Sequence, residues 1–79
     1  MAFEEETPAG TATTLHLQRY GDEVMYIVSG QYSSKVGDKT ISAEPGMCVF
    51  MPRGIPHARK CVGDGTGRTF IMIHASRGM

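Results

Sequence analysis

The sequence predicts an all-β domain of the sandwich or barrel kind. Three observations carry this reading. Short runs that alternate, or that are rich in β-branched and aromatic residues, recur at ~8–12-residue spacing from Leu15 onward. Glycine, proline and aspartate punctuate them. No window of ~11 residues carries a helical period.

Taken in order, TTLHLQR (13–19) alternates, and EVMYIVS (23–29) is β-prone throughout. QYSSKV (31–36) and KTISAE (39–44) flank Gly37-Asp38, a two-residue hairpin signal. MCVFM (47–51) is a short apolar run between Gly46 and Pro52, and HARKCV (57–62) follows. RTFIMIHAS (68–76) is the last such run. GDGTGR (63–68) lacks the Gly-Lys-Ser/Thr ending of a phosphate loop and has no helix after it, so it reads as a hairpin loop. There is no internal repeat and no linker. Residues 1–14 (with EEETPAGTATT) form an N-terminal segment expected to be partly frayed or exchanged with a partner subunit, and residues 15–79 form the domain.

Size and charge bound the rest. A chain of 79 residues is one small domain, and such a domain buries only about 60% of its unfolded surface. It therefore needs a metal, a disulfide or a partner subunit. Eight basic residues balance eight acidic ones, which excludes a general nucleic-acid binder and does little to keep subunits apart. Cys48 and Cys61 are too few for a disulfide framework. No signal-peptide pattern opens the sequence, and no apolar run approaches the ~20 residues of a membrane span. The expectation is a cytoplasmic protein with no membrane association, and with both thiols free and packed as small hydrophobes.

Chemistry concentrates in two places. Side chains two apart on a strand share a face, so His16 and Gln18 point the same way. Tyr20-Gly21-Asp22 reads as a turn, and Glu23 opens the next strand across from that pair. Parity sends Met25 and Ile27 to Glu23's face and Val24, Tyr26 and Val28 to the other. Both faces are apolar, so both are expected to be covered. A carboxylate among such neighbours is costly unless paired or metal-bound. The second place is PRGIPH (52–57), where two prolines and a glycine make a stiff turn that aims His57. From spacing alone two readings stay open: a metal site, or a solvated histidine, a half-exposed glutamine and a surface glutamate facing Arg19.

The spacing resembles the cupin family. Its first motif, G-x5-H-x-H-x4-E-x6-G, is matched by Gly10, His16, Gln18, Glu23 and Gly30, with Gln18 where a second histidine is usual. Its second motif, G-x5-P-x-G-x2-H-x3-N, is matched by Gly46, Pro52, Gly54 and His57, with Cys61 in place of asparagine. The resemblance implies a short, single-domain jelly-roll β-barrel. It also implies one divalent metal ion (Mn, Fe, Zn or Ni) on His16, Glu23 and His57. Gln18 is then a weak fourth ligand, a group that meets substrate or water while two His and Glu23 form the metal face, or the mark of a degenerate site.

Further pocket candidates follow from parity. Arg59 lies on His57's face, where its guanidinium suits an anionic substrate. Phe70, Met72 and His74 share a face on the last strand, and Tyr26 and Tyr32 suit an outer or subunit-contact face. The expected function is that of a metal-dependent enzyme (dioxygenase-, isomerase- or decarboxylase-like) on a small anionic organic molecule. The alternative is a non-catalytic ligand-binding or sensor module. A homodimer is expected in either case.

Overall fold

The structure, a computed structural model, describes residues 1–13 and 21–75. Seven strands make it up: β1 (Ala2–Thr7), β2 (Gly21–Ser29), β3 (Tyr32–Val36), β4 (Lys39–Ala43), β5 (Cys48–Met51), β6 (His57–Cys61) and β7 (Gly67–Ala75). They form a four-stranded sheet in the order β1-β7-β2-β5 and a three-stranded sheet in the order β4-β3-β6. All pairings are antiparallel. The two sheets are separate ladders that face each other as an open jelly roll, and no ladder closes them into a barrel among the described residues. Among the described residues no helix is long and apolar enough to cross a membrane.

Alternation explains the layering. On β2, Glu23, Met25 and Ile27 are buried, while Tyr26 and Val28 are exposed. On β6, His57, Arg59 and Cys61 are buried and Lys60 is exposed. The core between the sheets consists of Met25, Ile27, Tyr32, Ala43, Val49, Met51, Cys61 and Ile71. β3 and β4 turn through Gly37-Asp38 as expected, with Val36 opposite Lys39 and Gly37 at φ 63°.

Several expectations are corrected. GDGTGR does not make a hairpin: β6 and β7 belong to different sheets, so residues 63–66 cross between them. Residues 2–7, which carry no alternating apolar signal, form an edge strand on β7. The segment then crosses to the other sheet, where Gly10, Thr11 and Thr13 exchange backbone hydrogen bonds with Arg59 and Cys61. Tyr32 is a core residue, not an outer one, and its ring packs on Gly67, where a Cβ would collide with the phenol oxygen. Cys48 is exposed rather than buried, and only Cys61 fills core.

The motif glycines have a common physical basis. Gly10, Gly30, Gly46 and Gly54 all adopt positive φ, which side chains with a Cβ rarely adopt. At Gly30 there is also no room, because a Cβ would lie 2.7 Å from the Gly67 backbone.

Candidate functional site

The stiff turn after β5 sets the site. Met51 ends β5 directly opposite Glu23 on β2. The chain then turns through residues 52–56 and re-enters the fold at His57 on the other sheet. Asp22 clamps this turn. Its Oδ1 accepts from the Arg53 backbone N–H at 2.9 Å and from Nε at 3.3 Å, and its Oδ2 accepts from Nη2 at 3.1 Å. The Arg53 guanidinium and backbone N–H hold the Asp22 carboxyl below its ordinary value of 3.8. A second tie runs from the Gly37 N–H to the Pro56 carbonyl, at 2.8 Å. The start of β2 and the start of β6 are thereby brought together.

Glu23 and His57 meet inside. Glu23 is 3% exposed and His57 fully buried, with His57 Nε2 3.5 Å from Glu23 Oε1. The other His57 nitrogen, Nδ1, lies 3.4 Å from the Ile55 carbonyl. A carbonyl only accepts, so Nδ1 donates there. Nε2 then faces a carboxylate oxygen, a geometry that a shared proton or a bound metal ion suits. The separation is close to the edge of a tetrahedron built on ~2.1 Å metal–ligand bonds. A backbone carbonyl behind the second ring nitrogen is also how metal-ligating histidines are commonly oriented. These two residues fit a metal. His16 and Gln18, the remaining expected ligands, lie outside the described residues. Among the described residues no three His, Cys, Asp or Glu side chains converge on one point.

Arg59 completes the interior cluster. It is 8% exposed, its Nη1 lies 3.5 Å from Glu23 Oε2, and its Nη2 donates to Glu5 Oε1. One guanidinium therefore joins β6 to β2 and β1. Ser34 stands beside Arg59 in the β3–β6 register, and Thr69 beside Glu5 in the β1–β7 register. Ser34 Oγ, Thr69 Oγ1 and Arg59 Nε are buried with no hydrogen-bond partner among the described residues.

The family follows from the sequence that builds this geometry: the profile of the cupin domain matches residues 3–74. The chain is a cupin. No curated protein sequence matches it. Among solved structures, this cupin is similar to the protein TT1209 of Thermus thermophilus (TM-score 0.86, 23% identity, covering 92% of this chain and 70% of that one). It is also similar to the cupin domain of Schizosaccharomyces pombe Cnp3 (TM-score 0.89, 23% identity, 95% and 54% covered). A third is a predicted oxalate decarboxylase of Thermotoga maritima (TM-score 0.90, 20% identity, 95% and 65% covered). The chain thus spans between about half and seven-tenths of the length of these structures, and at such identity the likeness is one of fold.

The remaining candidates divide by face. Met25 lies in the core on Glu23's side, fully buried. Arg59 points inward, as parity requires once His57 does. Phe70, Met72 and His74 do share a face, but it is the outer one. Phe70 and Met72 are 38% and 45% exposed, His74 is exposed too, and Thr69 and Ile71 point inward instead. Both parities of this strand are rich in apolar residues, so pattern alone did not decide which faced in. Glu5, Ser34 and Thr69 were not anticipated. Glu5 sits in an acidic run without strand signal, and Ser34 and Thr69 are ordinary strand residues until their neighbours are known.

Proposed function

We propose that this cupin binds one divalent metal ion through Glu23 and His57 together with His16 and Gln18, and acts on a small anionic organic molecule. The buried Glu23–His57 pair, with Arg59 beside it, carries the reading. A divalent ion held there supplies Lewis-acid polarisation of a substrate oxygen. The chain's own groups do the rest. Ile55 fixes the imidazole orientation through Nδ1. Glu23 divides its two oxygens between the His57 side and Arg59. Arg59 supplies a fixed positive charge in a site from which water is largely excluded, where a carboxylate or phosphate is recognised by a planar donor fork.

Elemental analysis of tag-free protein tests the metal. The expected result is about one equivalent of a divalent metal, or its uptake from Mn, Fe, Zn or Ni, lost in His57→Ala. Protein that neither carries nor takes up metal contradicts the reading. Gln18 is tested separately. Gln18→Ala is expected to weaken metal affinity and Gln18→His to restore or tighten it, whereas unchanged affinity in both removes Gln18 from the ligand set. Catalysis and mere binding separate on whether a bound small carboxylate is turned over by the metal-loaded protein.

We further assign the chain to the cytoplasm, on its two free cysteines, and expect it to form a homodimer.

A further inference from the structure

Two carboxylates share one guanidinium inside this fold, and they are not equivalent. Glu23 is walled in between the sheets, its side chain only 4% exposed. Glu5 is 37% exposed and sits on β1, which among the described residues is an edge strand paired with β7 alone. Of the two, Glu5 alone has a short route for its carboxylate to leave Arg59 and enter water. Donors stand near it in register, alongside the Glu23 carboxylate that shares Arg59. Arg59 Nε, Ser34 Oγ and Thr69 Oγ1 are buried without partners among the described residues. Ser34 is Arg59's register neighbour and Thr69 is Glu5's. Buried donors without acceptors favour any oxyanion that can reach them. An oxyanion of that kind, the Glu5 carboxylate, is already docked on Nη2.

We propose that Glu5 is a built-in competitor for an oxyanion subsite formed by Arg59, Ser34 and Thr69, and that a small carboxylate ligand binds by displacing the Glu5 side chain to solvent. The proposal rests on the anionic-ligand reading of the site given above and adds the residue that sets its affinity. Glu5 then makes the subsite selective. A ligand must outcompete a tethered carboxylate, so a weakly held neutral molecule does not enter. If Glu5 occupies Arg59 about nine-tenths of the time, the apparent affinity for the ligand is about tenfold lower than the intrinsic one.

Isothermal titration of the metal-loaded protein with malonate, and separately with inorganic phosphate, tests this. Glu5→Gln is expected to bind at least one of the two about tenfold more tightly than wild type. Glu4→Gln, which loses only the exposed pair with Arg68, is expected to bind as wild type does. Equal affinity in wild type and Glu5→Gln overturns the competitor while leaving the anion site standing. No binding of either anion by either protein overturns both. A second measurement needs no variant. In wild-type protein, NMR of the Arg59 guanidinium and the Glu5 carboxylate is expected to show both shifting with the same malonate dependence, with Glu4 unmoved. A shift at Arg59 without one at Glu5 also overturns the proposal.

Discussion

Asp22 organises the site without lining it. Its carboxyl clamps the turn that delivers His57, and the Arg53 contacts depress its pKa. A carboxyl with a folded-state value below its unfolded 3.8 contributes stability that is present above that value. The contribution is lost as pH falls through the lower folded value. Acid unfolding followed by circular dichroism is therefore expected to show wild type losing stability below pH 3.8, and Asp22→Asn losing less over the same range. Parallel acid profiles would mean that the clamp does not contribute. Arg59 is the heavier case, because it is buried against Glu23. Arg59→Ala removes one partner of the buried Glu23–Arg59 pair, and a change of that kind costs about 3–5 kcal/mol. Denaturant unfolding is expected to fall in that range. Glu23 and His57 were legible in the sequence because motif spacing and strand parity agreed. Asp22, Glu5 and Ser34 were not, because an acidic or hydroxyl side chain shows its role only once a distant segment is packed against it.

At the scale of elements, the crossing between the sheets is the most constrained place. Gly30 and Gly67 touch through their backbones, and the Tyr32 ring lies on Gly67. Gly67→Ala must therefore move an aromatic ring already fully enclosed, and overpacking of this kind typically costs about 1–3 kcal/mol. Gly65→Ala meets nothing within 4 Å and is expected to be close to neutral in the same thermal melt. If both variants melt alike, the packing described at Gly67 is wrong. The two-residue turn at Gly37-Asp38 was readable from local chemistry alone. The destination of β7 was not, because GDGTGR serves a hairpin and an inter-sheet crossing equally well. The inward face of β7 was misread for a related reason. Phe70 and Met72 are as apolar as Ile71 and Ile73, so only the register against β2 decides.

At the scale of the whole molecule, one sheet face stands open among the described residues. Tyr26, Val28, Phe50, Phe70 and Met72 stand on the outer side of the β1-β7-β2-β5 sheet, each at least 38% exposed. No described strand of the same chain covers them. A domain of this size has little core to spare, and its net charge of zero offers no repulsion between copies. We expect this face to pair with a second copy. Sedimentation at micromolar concentration is expected to give a dimer for wild type and a shift to monomer for Phe50→Glu, while a wild-type monomer rules out a tight pair. The jelly-roll layout was foreseeable from seven short strands and the two motifs. The separation into two open ladders, and the use of the N-terminal residues to bridge them, arise from long-range pairing that no local pattern encodes.

We propose that Glu23 and His57 form half of an interior metal cage. Titration with Co2+, read by its visible d–d bands, addresses it most directly. Wild type is expected to saturate at one equivalent with bands of a nitrogen- and oxygen-ligated ion, and folded Glu23→Ala and His57→Ala are each expected to lose that saturable signal. Wild type without bands, or variants that titrate as wild type does, would contradict such a cage.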